Sequence, residues 1–299
     1  MKIGYPCINR SLLCTGNKTF RLKSYSEHRF VDTVRNNLDC LQQMLKYNVQ
    51  HHLLYFRITS DLIPFASHPI CTYPWQQEFK STFEEIGAYI KKHQIRITMH
   101  PDQFILLNAK DPDIVQRSID ELTYHAHVLD LLQLDTTAKI QLHIGGVYGD
   151  KQASINRFIQ TFTSLPSTIT QRLAIENDHQ RYHVHDCFFV SDQTSIPIIF
   201  DYFHHQLYHH ADDFINILQK FTQTWKNIDG IPLCDYSSQE PTRQKGSHAH
   251  TINLADFRHF LERIQPYDID IMLEIKDKEQ SALKAITLIT TDPRFQEAT

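Results

Sequence analysis

No stretch of this 299-residue chain approaches the eighteen or more uninterrupted apolar residues of a membrane helix. The opening MKIGYPC lacks the basic-then-apolar form of a secretion signal. The expectation is an intracellular, cytoplasmic protein without a membrane partner, nuclear if its source is eukaryotic. Basic charge is also missing: a net charge of −4 leaves no general footprint for nucleic acid, so such a partner must be held by a local positive site. The six cysteines (Cys7, Cys14, Cys40, Cys71, Cys187, Cys234) contain no CxxC pair, which argues against both a disulfide framework and a cysteine zinc site. Low-complexity tracts, charge blocks and Gly/Ser linkers are absent too. Residues 1–299 therefore read as a single domain, and one barrel is an ordinary outcome at this length. What is abundant is histidine, 19 in all; His51-His52 and His209-His210 read as solvated pairs.

Short apolar runs alternate with amphipathic stretches. The runs are KIGYP (2–6), LLYFRI (53–58), IRITMH (95–100), KIQLHI (139–144), RLAIEN (172–177), PIIFD (197–201), IPLCDY (231–236) and DIMLEIK (270–276). Residues 27–47 place Phe30, Val34, Leu38, Leu41 and Leu45 on one helical face. Residues 111–134 open on Asp111-Pro112, a cap and first-turn signature, and continue through Val115, Ile119, Leu122, Ala126 and Leu129. Strands alternating with helices imply a parallel sheet, and eight such units imply a (β/α)₈ TIM barrel.

The period of two within these strands carries the chemistry. In IRITMH, Ile95, Ile97 and Met99 share one side, against Arg96, Thr98 and His100. The continuous apolar side should face the helices and the mixed side the axis. His100, Glu176 and Glu274 then point inward at the carboxyl ends of their strands, as do His143, Asp201 and Asp235. Uncompensated buried charges are costly, so the group must be ion-paired, protonated or metal-bound. Inward basic partners are few, Arg57 and Lys276 being the candidates, and four acids cannot all be comfortably neutral. Imidazole nitrogen and carboxylate oxygen together suit Zn²⁺, Mn²⁺ or Fe²⁺. His204, three residues past Asp201, and His248, on the Gly-Ser loop of KGSHAH, can return to the axis; His68 in FASHP is a weaker candidate, and His205 and His250 point away. This many ligands exceed one ion's needs and imply two or three, with Glu176 or Asp201 bridging. Ions roughly 3.5–4 Å apart clamp the attacking and leaving oxygens of an in-line displacement at phosphorus.

GYPCIN, FRI, IPFASHP, MHPDQF, QLHIGGVYG, LAIEND, FDYFHH, YSSQE, GSHA and LEIKDKE, in this order, resemble the UV damage endonucleases, a DNA-repair family on the barrel of the endonuclease IV-type enzymes. The resemblance implies hydrolysis of the phosphodiester immediately 5′ of a UV photoproduct (cyclobutane dimers, 6-4 products) in double-stranded DNA, leaving a 3′-hydroxyl and a 5′-phosphate, by a protein expected to be monomeric. It also implies three divalent ions, usually manganese, with Zn²⁺, Mg²⁺ or Co²⁺ as alternatives. By motif, His68, His100, His143, Glu176, Asp201, His204, His248 and Glu274 match ligand positions.

The same resemblance assigns base flipping to Gln103 and Phe104 in MHPDQF and to Tyr5 in GYPC, with Asn9 near DNA. Extruding stacked bases costs a few kcal/mol, least at a lesion, and an aromatic wedge restores the stacking. Simple packing is the alternative for Tyr5 and Phe104. Some relatives read Lys-x-His on strand seven; here Leu233-Cys234-Asp235 stands there, so Asp235 would supply an oxygen ligand and Leu233 cannot replace the lysine. Glu176 and Lys276 are the candidate catalytic residues, the lysine contacting the scissile phosphate or neutralising the cluster. Competing readings are an abasic-site endonuclease on the same metals, a two-metal sugar isomerase, and a non-catalytic metal- or DNA-binding barrel.

Overall fold

Eight four- or five-residue runs in the apolar segments form strands: β1 Ile3–Pro6, β2 Tyr55–Ile58, β3 Arg96–Met99, β4 Lys139–His143, β5 Leu173–Glu176, β6 Ile198–Asp201, β7 Leu233–Tyr236 and β8 Asp270–Leu273. In the computed structural model, which describes residues 1–208 and 213–298, each strand pairs in parallel with the next and β8 pairs with β1, so the sheet closes. This is the TIM barrel that the alternation predicts, and each strand falls within its expected run. The His209-His210 pair lies outside the described residues.

The longest helix, Glu27–Gln50, starts where the Ser26 side chain accepts a hydrogen bond from the Arg29 N–H, and buries Phe30, Val34, Leu38, Leu41 and Leu45 as its spacing predicts. Helix Pro112–Leu131 begins at Asp111, whose carboxylate accepts from the Asp113 N–H; Leu122, Ala126 and Leu129 are buried, while Val115 and Ile119 lie at the edge. Close packing of β1 on β2 depends on Gly4, because a Cβ there would sit 1.9 Å from the Tyr55 carbonyl oxygen.

Two sequence expectations fail. Cys14 and Cys40 form a disulfide that ties the segment after β1 to helix Glu27–Gln50, although they are 26 residues apart and match no spacing motif. His51 and His52 are half-buried, not solvated: the His51 ring packs 4.2 Å from Tyr47, and His52 Nδ1 accepts from the Ala298 N–H.

The inward faces form a polar column that positions the site. Along β4 the column runs from Lys139 through Gln141 to His143. Lys139 is fully buried at the amino end, its ammonium 2.5 Å from Asp229 Oδ1. Gln141 occupies the middle, and His143 reaches the rim.

Candidate metal centre

Register alone brings the rim residues together. His143 is the direct partner of Glu176 across β4 and β5, and Asp201 of Asp235 across β6 and β7. His100 and Glu274 follow β3 and β8 immediately. The short helix Tyr202–Leu207 returns His204 to this floor, because Asp201 caps it and its carboxylate accepts the His204 N–H at 2.7 Å. Asn177 locks the level by exchanging two hydrogen bonds with the Asp201 backbone, at 2.9 and 3.0 Å.

Glu176 is the hub. Its Oε2 lies 3.4 Å from His100 Nε2 and 3.6 Å from His143 Nε2, and its Oε1 lies 3.2 Å from His204 Nδ1. Burial alone would raise its pKa, but His143, His100 and His204 hold it well below the usual carboxylate range. Asp201 goes the other way: burial, with Glu176, Glu274 and Asp235 close by, pushes it well above its ordinary value despite His204. His204 would be lowered by burial, yet Asp201 and Glu176 outweigh this and raise it to about 11.

Among the described residues, three overlapping sets of side chains have ligand atoms close enough for a metal ion: His100, His143 and Glu176; Glu176, Asp201 and His204; Asp201, Asp235 and Glu274. The second ring nitrogens support ligation. His100 Nδ1 faces the Pro101 carbonyl at 2.9 Å, which turns its Nε2 toward Glu176, and His248 Nδ1 faces the Glu274 carbonyl at 2.8 Å. His143 Nδ1 is buried without a hydrogen-bond partner. The donor chemistry and the crowded anions therefore fit divalent cations.

Arg57 changes the expected balance at this rim. It lies on the inward face of β2, 3% exposed, and meets both oxygens of Asp235 at 2.9 and 2.8 Å, Glu274 Oε1, and Gln141 Oε1 at 2.7 Å. Gln141 in turn donates to Glu176 Oε2 at 2.5 Å and Asp235 Oδ2 at 2.6 Å. Burial, against the pull of Arg57, leaves Asp235 raised to about 7, whereas Arg57 overcomes burial at Glu274 and lowers it to about 2. A buried ion-pair network thus coexists with the candidate metal floor. Gln141 could have been found in the sequence, since it sits two residues before His143 on the same face.

Other predicted residues separate clearly. Gln103 and Phe104 are exposed at the mouth, Phe104 by 72%, beside a cavity of about 570 Å³ that also reaches His100, Glu274 and Lys276. An adjoining cavity of about 490 Å³ lies over His143 and His204, with His248 and His179 in its wall. His179, missed in the sequence, packs 5.0 Å from the His204 ring and carries a buried Nδ1 without a hydrogen-bond partner. Lys276 is exposed at the mouth. His68 is not brought to the rim: its ring is exposed and its Nδ1 accepts from the Ile70 N–H within its own turn. Tyr5 is fully buried on the helix side of β1, its hydroxyl donating to Asn48 Oδ1 at 2.6 Å and accepting from Asn9 Nδ2 at 2.9 Å, the arrangement of a packing ring. Asn9 is buried as well, its Oδ1 accepting from the Ser11 and Leu12 N–H groups and its Nδ2 donating to the Tyr5 hydroxyl. His250 is exposed outside the cluster, and His205 packs against Phe200.

The chain matches the family model described as UV-endonuclease UvdE over residues 1–296. It is 39% identical over 290 residues to the UV DNA damage endonuclease of Clostridium perfringens, covering 96% of this chain and 70% of that protein. It is 30% identical over 297 residues to the UV DNA damage endonuclease of Bacillus thuringiensis subsp. konkukian, covering 96% and 93%. Among solved structures, "Crystal Structure of SacUVDE" superposes with a TM-score of 0.93 at 43% identity over 97% of this chain and 98% of that one. A D-psicose 3-epimerase from Clostridium cellulolyticum H10 shares the barrel alone, with a TM-score of 0.55 at 12% identity over 92% and 85%. With the family model spanning nearly every residue and curated relatives agreeing along the same length, the chain belongs to the UV DNA damage endonuclease family.

Proposed function

We propose that this protein cuts double-stranded DNA at the phosphodiester immediately 5′ of a cyclobutane dimer or 6-4 product, leaving a 3′-hydroxyl and a 5′-phosphate. The observation that carries the reading is one juxtaposition. A carboxylate ringed by three imidazoles, Glu176 with His100, His143 and His204, lies beneath a mouth whose lip is the exposed pair Gln103 and Phe104.

His100, His143, Glu176, Asp201, His204, His248 and Glu274 would hold the divalent ions, proposed as three Mn²⁺. Asp235 contributes an oxygen only by sharing it with Arg57. Such ions supply Lewis acidity and positive charge at the scissile phosphate. The protein's own part is placement: Glu176 would hold the ions together with His100, His143 and His204, and Lys276 at the mouth reaches toward the DNA backbone. Phe104 and Gln103 enter the duplex and fill the space left by extruded bases, at a stacking gain of roughly 1–3 kcal/mol per base. This arrangement assigns no ligand role to His68 and no wedge role to Tyr5.

The test is a nicking assay on duplexes carrying one cyclobutane dimer, one 6-4 product or one abasic site, with Mn²⁺, Zn²⁺, Mg²⁺ and Co²⁺ in turn. Nicking 5′ of the photoproducts is the expected result. Cutting of the abasic duplex alone would transfer the protein to the abasic-site reading.

A further inference from the structure

Among residues with no role so far, Lys278 stands out by its backbone. It sits between β8 and helix Glu279–Ile289 with φ 57° and ψ −120°, the region that a type II′ turn normally gives to glycine. A side chain there is strained, and strain of this kind collects at functional sites. The position is tightly fixed: the Lys278 N–H donates to the Ile275 carbonyl at 3.1 Å, and its carbonyl accepts from the Ala282 N–H at 3.1 Å. The adjacent Glu279, fully buried, holds the Arg10 N–H and the Ser11 hydroxyl at 2.8 Å each, so the loop after β1 is bolted to this turn.

The side chain enters the cavity that holds Glu274, His248 and Phe104. It is half-buried, while Lys276 is exposed. Its ammonium makes no hydrogen bond or ion pair with any described residue. Burial disfavours its charge, and Arg57 and Arg10 do so as well, with only Cys7 and Glu274 acting in the other direction. A cation held in a costly conformation beside an anionic floor, without a hydrogen-bond or ion-pair partner among the described residues, is arranged for an anion from outside.

We propose that Lys278 is a phosphate-anchoring residue, its ammonium receiving a backbone phosphodiester oxygen of the DNA where the strand crosses the metal floor. The assignment rests on the DNA-cleaving reading above. The left-handed backbone aims the side chain across the mouth, and this aim keeps a lysine where glycine would be unstrained.

The experiment compares wild type with Lys278→Met, Lys278→Arg and Lys278→Gly, using Lys46→Met on the outer helix as a control. Binding of a duplex with one cyclobutane dimer is measured in EDTA between 50 and 200 mM salt, and bound Mn²⁺ is measured separately. One lost phosphate contact reduces the slope of log K against log salt by about 0.9. Lys278→Met and Lys278→Gly should both show this loss with unchanged Mn²⁺ content. Lys278→Arg and Lys46→Met should keep the wild-type slope. Lys278→Gly should in addition raise the thermal midpoint, by about 2–4 °C, as the strain is relieved. A wild-type slope in Lys278→Met, alongside normal nicking by wild type, overturns the assignment and leaves the functional reading standing. A lower Mn²⁺ content with an unchanged slope also overturns it, since Lys278 would then serve only to compensate Glu274. A wild-type protein that neither binds nor nicks the damaged duplex overturns the functional reading, and this assignment with it.

Discussion

Arg57 on β2 grips both carboxylate oxygens of Asp235 on β7, at 2.9 and 2.8 Å, across the interior of the barrel. The two strands are not neighbours, so the contact passes over the barrel axis. Neither residue is exposed beyond 3%, and water cannot substitute for a missing partner. Arg57→Met would strand Asp235 and Glu274 together, and breaking a buried pair from one side costs about 3–5 kcal/mol. Removing both partners with apolar side chains, Arg57→Met with Asp235→Leu, should recover most of that loss. Urea unfolding of metal-free wild type, single and double variants measures both numbers. Equal losses in the single and double variants would show that the stranded Asp235 carboxylate is not the source of the loss.

The rim was legible in the sequence because a barrel strand has only two faces. Once IRITMH and KIQLHI were given a period of two, His100 and His143 had to point the same way, and the in-register ladder put His143 beside Glu176. Arg57 was on the correct face as well, but its reach across the barrel is a tertiary fact that no local pattern encodes. Loops were legible only where a local device constrains them. Asp201 as a helix cap returns His204 to the floor, whereas nothing in FASHP fixes His68, which closes its own turn onto Ile70. Tyr5 shares with Ile3 the helix-facing side of β1, so alternation could have rejected it as a wedge. The Cys14–Cys40 bridge depends on how the segment after β1 folds back, and residue spacing carries no record of that.

Phe104 and Tyr5 separate a DNA-facing ring from a packing ring. Phe104 is 72% exposed, so Phe104→Ala should leave stability within about 0.5 kcal/mol of wild type. It should weaken binding of a dimer-containing duplex by roughly 1–3 kcal/mol, the worth of one base–aromatic stack. Tyr5→Phe should do the reverse. Its buried hydroxyl joins Asn48 to Asn9, and leaving those groups unpaired costs about 1–3 kcal/mol of stability with little specific effect on DNA affinity. Thermal unfolding and fluorescence anisotropy on the two variants decide the matter. Loss of affinity in Tyr5→Phe without loss of stability would return Tyr5 to the DNA interface.

Metal uptake should release a proton. In the metal-free protein Asp201 and Glu176 raise His204 to about 11, so its imidazole is charged at neutral pH and must lose that proton to ligate. Asp201, pushed up by burial, adds to this release, so calorimetric Mn²⁺ titrations at pH 7.5 in two buffers of different ionisation enthalpy should report net proton release that is reduced, not abolished, in His204→Ala. Glu176→Gln should lower Mn²⁺ retention by more than the ~10–100-fold that removal of an outer-shell partner costs, because it removes the hub of three imidazoles. Wild-type retention in Glu176→Gln would sink the bridging role.

His125 gives a pH dependence of stability that does not pass through a metal ligand's own titration. It is fully buried, its Nδ1 lies 2.8 Å from the Glu121 carbonyl and its Nε2 3.1 Å from the Ser60 hydroxyl, and that hydroxyl donates to the His100 carbonyl at 2.7 Å. Burial lowers its pKa to about 4 from an ordinary 6.5. Between these values the unfolded chain binds a proton that the folded protein refuses, so folding loses stability as pH falls. The contribution is complete above about 6.5, declines below it, and levels off near 4. Its size is about 3 kcal/mol, from 1.36 kcal/mol per pKa unit. Urea midpoints of wild type and His125→Gln, both in EDTA to remove metal linkage, should converge as pH drops from 7.5 to 4.5, the wild type falling more steeply. Parallel curves would mean that His125 takes its proton in the folded state at no cost, and that its cavity is wetter than its burial indicates.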